Sequence, residues 1–141
     1  MHRGFWYIGE FNVKNVAIKE HHLYNKAFKL GKKYVGKYVA VYVLRDYSAK
    51  KLKNAHPQKL FVNRLGLSVS KKLGGAVERN RAKRVCRAAY DTVKERLKTG
   101  NLIVISPRIS ILSTKSTAVA TELETAFEAL DMLVPVQEQT K

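Results

Sequence analysis

Hydrophobic residues recur along this chain with two periods, and the switches between them predict an order of elements. Between Lys19 and Leu30, Leu23, Ala27 and Leu30 form a stripe at helical spacing, with Tyr24 and Phe28 four apart beside it and Gly31 as a stop. Tyr38 to Leu44 alternates: Val39, Val41 and Val43 fall on one face, and Tyr38, Ala40, Tyr42 and Leu44 on the other. Arg64 to Ser70 alternates again, with Leu65, Leu67 and Val69 opposite Gly66, Ser68 and Ser70. A lysine-rich loop over 45–59 separates these two strands, Leu60 to Val62 begins the second, and their succession predicts an antiparallel hairpin.

After the glycine turn Gly74-Gly75, the spacing predicts a long amphipathic helix over 76–98, roughly 35 Å at about 1.5 Å per residue. Its apolar stripe is Ala82, Val85, Cys86, Ala89, Val93 and Leu97. Leu102 to Ile105 is an unbroken apolar run, as expected of a strand buried on both faces, and Pro107 ends it. Val119, Leu123, Ala126, Phe127 and Leu130 mark a last helix over 117–133. The predicted class is α/β (α+β), a small mixed sheet packed with three helices in the order α-β-β-β-α-β-α.

Charge changes the picture. The chain has 141 residues and a formal net charge of +16. Like charges repel in a compact state, so such an excess implies a polyanionic partner. It is also lopsided: residues 1–98 hold 24 Lys and Arg against 6 Asp and Glu, whereas 99–141 hold 3 against 5. Length fits a single domain over 1–141, with 1–18 as an aromatic extension and 134–141 as a frayed tail. Cys86 is the only cysteine, which excludes an intrachain disulfide, and the four histidines show no zinc-ligand spacing. No apolar run approaches a membrane span, and Phe5 to Ile8 is too short for a signal-peptide core. The expected setting is soluble, reducing and cytoplasmic.

On a helical wheel Asn80, Lys83, Arg84 and Arg87 share one face opposite the apolar stripe, while Lys71, Lys72, Arg79 and Arg81 surround the helix start. Arginine forks suit phosphate oxygens, and the N–H groups of a helix start add anion donors. A merely solvated face would alternate sign, but Arg64 to Lys98 holds 11 basic and 3 acidic residues. Tyr24, Phe28 and Tyr42 are candidates for stacking on unpaired bases; Phe28 stands equally well as core, and Tyr42 is the better candidate because the valines already supply a core face. Cys86 lies in the apolar stripe and reads as a small buried hydrophobe. His21-His22 reads as a solvated helix start, with a general base as the alternative. Paired carboxylates, a Ser-His-Asp set and a phosphate-cradling glycine loop are missing, so no catalytic residue is assigned.

The run from Gly66 to Arg87, containing Ser68-Val69-Ser70-Lys71-Lys72 and Arg79-Asn80-Arg81-Ala82-Lys83-Arg84, resembles the signature of the protein component of bacterial ribonuclease P. Weaker similarity at Tyr24–Gly31, Val39–Leu44 and Leu102–Arg108 extends the likeness over roughly residues 19 to 133. Gly75 and Ala82 depart from the family's usual Asn and Ile, Tyr24 stands where Phe is common, and residues 1–18 lack the usual strong positive charge. The resemblance implies a left-handed βαβ crossover around the long helix, where handedness rules alone predict the opposite. It implies that Lys71, Lys72, Arg79, Asn80, Arg81, Lys83, Arg84 and Arg87 bind the catalytic RNA subunit. It implies that Tyr24, Phe28, Tyr42, Ser68 and Ser70 bind the single-stranded 5′ leader of precursor tRNA. Mg²⁺ is expected to be held mainly by the RNA subunit, with no obligatory protein partner. Two rivals remain: a ribosomal or RNA-chaperone type binding protein with no part in cleavage, and a stand-alone nuclease using His21 or His22.

Overall fold

The structure, a computed structural model, describes residues 16–18, 21–45, 63–98 and 100–134. Residues 1–15 of the aromatic extension, 46–59 of the lysine-rich loop, the run Leu60 to Val62 and the tail from Pro135 lie outside the described residues. The end of the extension is part of the fold: Val16–Ala17 pairs with the strand at Arg64, and Ile18 is buried in the core.

Eight elements follow in order: β1 (Val16–Ala17), α1 (His21–Leu30), β2 (Lys32–Val35), β3 (Val39–Arg45), β4 (Arg64–Leu67), α2 (Ala76–Val93), β5 (Asn101–Pro107) and α3 (Ser116–Ala129). The predicted α-β-β-β-α-β-α order is present, preceded by the two-residue β1. The sheet runs β1-β4-β5-β3-β2. β5 is its centre, parallel to β4 and antiparallel to β3, and it supplies apolar side chains to both faces. Leu102 and Val104 pack with Leu23 and Ala27 of α1, while Ile103 and Ile105 join Val39, Val41 and Val43 beneath α2 and α3. Each face thus receives one half of an alternating strand, which is why an unbroken apolar run belongs here.

The predicted hairpin between β3 and β4 is corrected. These strands are not neighbours, because β5 lies between them. The hairpin of this sheet is β2–β3, in register Lys33↔Tyr42 and Tyr34↔Val41. α1 buries Leu23 and Ala27, but Leu30, assigned to the same stripe, is 68% exposed at the helix end. Val85 is only partly buried, and Tyr90 takes a core place instead, its ring 6.4 Å from Phe127 and tilted 67° to it. Burying a side chain of this size contributes roughly 1.5–3 kcal/mol.

Two glycines matter to the sites that follow. Gly74 has φ +128°, a backbone that L side chains rarely adopt, and turns the chain from the 3-10 turn Lys71–Leu73 into α2. Gly66 lies under the Tyr24 ring, where an added Cβ would stand 2.6 Å from a ring carbon.

Candidate nucleic-acid interface

The basic turn after β4 and the N-terminal turns of α2 present a cluster of cations. After β4, Ser70 Oγ accepts from the Lys72 N–H at 3.1 Å and starts the 3-10 turn that carries Lys71 and Lys72, both exposed. α2 begins at Ala76, where the Gly75 N–H donates to Glu78 Oε1 at 2.9 Å. The single carboxylate of the first turn is therefore occupied with its own helix start.

Beyond it, Arg79, Asn80 and Lys83 line a hollow of about 340 Å³ with Leu67 and Val69, between α2 and the end of β4. Arg84 and Arg87 continue the same face and are exposed. Arg81 does not join them. It turns toward the segment before α3, where its Nη2 donates to the Thr114 carbonyl at 3.5 Å.

The distribution of ion pairs separates the two ends of this region. Lys94 pairs with Asp91 at 3.0 Å, Arg96 with Glu124 at 2.7 Å and Lys98 with Asp131 at 3.3 Å. Among the described residues, Lys71, Lys72, Arg79, Arg81, Lys83, Arg84 and Arg87 have no carboxylate partner. Close like charges left unneutralised raise the local potential and draw in anions. The positive end of the helix dipole lies at the same end.

The aromatic candidates lie on the other face of the sheet, with α1. Phe28 meets Tyr42 edge-on, ring centroids 4.8 Å apart and planes at 87°, and remains 37% exposed. Tyr24 is half-buried over Gly66, and its hydroxyl donates to the Ile18 carbonyl at a long 3.5 Å. Burial pushes the Tyr24 phenol above its ordinary range. Tyr24, Tyr42 and Leu44 flank the core of Ile18, Leu23, Ala27, Leu102 and Val104, so this face offers aromatic surface. By strand alternation Ser68 lies on the Gly66 side, and its N–H donates to the Ile105 carbonyl at 3.0 Å. Ser70 is engaged at the basic turn instead.

Cys86 is fully buried, and desolvation pushes its thiol up to about 12 against a smaller opposing effect of Arg87. His21 and His22 are exposed on the first turn of α1, with the His21 ring 6.5 Å from Tyr24. Among the described residues no three His, Cys, Asp or Glu side chains converge to hold a metal ion. Nor is any described helix long and apolar enough to cross a membrane. Sequence patterning did not mark Lys37, Arg108 and Ser110. The fold brings them beside Lys72 in a second basic concavity, and only their place at strand ends hinted at a shared edge.

Known proteins resemble this chain in sequence and in fold. A sequence model of the ribonuclease P family matches residues 13–131. The ribonuclease P protein component of Clostridioides difficile is 33% identical over 102 residues, covering 72% of this chain and 78% of that protein. The one from Bacillus velezensis is 36% identical over 93 residues, covering 66% and 71%. Among solved structures, the RNase P protein of Staphylococcus aureus superposes with a TM-score of 0.67 at 24% identity, covering 85% of this chain and 99% of that one. That of Thermotoga maritima gives 0.61 at 23% identity, covering 77% and 92%.

Proposed function

Since the chain belongs to the ribonuclease P protein family, we propose that its basic turn and helix α2 dock on ribonuclease P RNA while the aromatic face holds the 5′ leader of precursor tRNA. It is the protein component of a tRNA-processing ribonucleoprotein. The observation that carries the docking surface is the segregation of charge: among the described residues the cations from Lys71 to Arg87 lack carboxylate partners, and Lys94, Arg96 and Lys98, just past the end of α2, have them.

Lys71, Lys72, Arg79, Asn80, Lys83, Arg84 and Arg87 are assigned to RNA-subunit phosphates, with Arg81 at the margin through its lean toward Thr114. Tyr42, Phe28 and Tyr24 are assigned to the leader, where the exposed parts of their rings would stack on unpaired bases. Ser68 fits beside them; Ser70 fits the basic turn better. Cleavage chemistry is assigned to Mg²⁺ held by the RNA, and the protein's part is to position the leader and neutralise phosphate charge. A cytoplasmic setting suits that work.

The test incubates precursor tRNA and Mg²⁺ at near-physiological salt with the chain alone, with the cognate RNA subunit alone, and with both. Stimulated cleavage and tighter precursor binding are expected. Binding without stimulation would return the reading to an RNA-chaperone protein, and cleavage by the chain alone would make it a nuclease in its own right.

A further inference from the structure

At the ends of β4 and β5 opposite the α2–β5 junction lies a concavity of about 660 Å³ lined by Lys37, Ser70, Lys72, Leu73, Arg108 and Ser110, together with Pro107 and Ile109. Three cations reach it from three separate segments: the β2–β3 turn, the turn after β4 and the residue after β5. Among the described residues no carboxylate lines it.

The β2–β3 turn is tied down beyond what a hairpin needs. Gly36 N–H donates to the Val39 carbonyl at 2.8 Å, and Arg108 N–H to the Tyr38 carbonyl at 2.8 Å. Arg108 Nη1 donates to the Gly36 carbonyl at 2.9 Å, and Ser110 Oγ to the Lys37 carbonyl. From α3, both carboxylate oxygens of Glu122 accept from the Tyr38 N–H, at 3.0 and 2.8 Å. A two-stranded turn closes with its own backbone bonds; here three distant side chains add to them. Their effect is to hold Lys37 and the Arg108 guanidinium at set places on one concave wall. Arg108 uses one of its five N–H donors on Gly36 in this arrangement. Lys37 is also placed over the Tyr38 ring, 5.4 Å from its centroid.

From this arrangement we propose that the concavity is a second, preorganised phosphate-binding site, in which Lys37 and Arg108 clasp the sugar-phosphate backbone of ribonuclease P RNA. The inference rests on the docking reading above and extends it. Lys72 belongs to both surfaces, so an RNA strand leaving the start of α2 meets Lys37 and Arg108 next. Charge complementarity selects the ligand, since Lys37, Lys72 and Arg108 with the hydroxyls of Ser70 and Ser110 suit a polyphosphate chain and repel an unphosphorylated basic partner. A held guanidinium and ammonium lose less freedom on binding than mobile surface cations do.

The test measures affinity of the full chain for ribonuclease P RNA across a salt series, for Lys37→Ala, Lys37→Arg and Arg108→Lys beside Arg84→Ala. Lys37 holds the turn through its backbone, so Lys37→Ala is expected to keep its thermal midpoint, lose several-fold in affinity and lower the log–log salt slope by about one. Lys37→Arg should restore both. Arg108→Lys keeps the charge and loses the fork, so affinity should fall while the slope holds. If Arg84→Ala lowers the slope and Lys37→Ala does not, the site is refuted and the α2 surface stands. If neither does, the docking reading fails as well. A Lys37→Ala loss confined to precursor tRNA binding by the holoenzyme would also overturn the assignment, because the wrong RNA had been named.

Discussion

At the scale of single residues, exposure decides which aromatic can serve a base. Phe28 was poised in the sequence between core and stacking, and the structure leaves it 37% exposed with its edge on Tyr42. Tyr42 is thus braced from one side by α1 and half-open on the other. Tyr42→Ala is expected to weaken precursor tRNA binding by roughly 1–3 kcal/mol while leaving mature tRNA unchanged, since only the precursor carries an unpaired leader to stack. Titration of both RNAs against the holoenzyme checks it, and equal losses would point to a folding defect. Cys86 makes a different prediction. Its thiol rises from 9.0 to about 12 through burial, and burial raises the Tyr90 phenol too. The unfolded chain therefore releases these protons first, so stability is intact below about pH 9 and falls as pH rises toward 12. The limiting slope is about 1.4 kcal/mol per pH unit for each group. Denaturant midpoints at pH 8 and 10 should show the fall, and Cys86→Ala, though less stable at both, should show a shallower one.

At the scale of elements, Glu78 serves the start of α2 rather than an ion pair with the neighbouring cations. Glu78→Ala removes the acceptor of the Gly75 N–H and should cost about 0.5–1 kcal/mol, read as a lower thermal midpoint. Affinity for ribonuclease P RNA should hold or rise, because the first turn's one acidic group is gone. The same scale shows what periodicity could and could not convey. β3, β5, α2 and α3 were legible because each buries a whole face or stripe, as with Val39, Val41 and Val43 or Val119, Leu123 and Phe127. β2 was not, because Lys32 to Val35 forms an edge strand exposed at three of four positions and so carries no alternation. The false β3–β4 hairpin had a related cause. Pairing of β4 with β5 is parallel and spans the whole of α2, and alternation within a strand says which face is buried without saying which strand lies beside it. The groove of Lys37 and Arg108 escaped for the same reason, since its walls meet only once strand order is known.

At the scale of the whole molecule, net charge implies a polyanionic partner, and the placement of carboxylates distinguishes the surface proposed to meet it. The sequence put the excess in residues 1–98 but could not divide α2 and its continuation into a bare half and a paired half. That division depends on α3, whose Glu124 crosses to Arg96, and on Asp131 just after α3, which reaches Lys98. An arginine already beside a carboxylate releases few counterions when RNA arrives, whereas one without a partner gives up its share of the RNA's condensed ions. Arg84→Ala and Arg96→Ala should therefore part company, although both remove one positive charge from nearly the same stretch of chain. Arg84→Ala is expected to lower the log–log salt slope for ribonuclease P RNA by about one with little change in stability. Arg96→Ala should leave the slope nearly unchanged and cost at most about 1 kcal/mol, the scale of an exposed ion pair. Parallel salt titrations and thermal melts of the two variants decide it: equal slopes would mean that RNA senses only total charge, and that the bare face of α2 has no special part in docking.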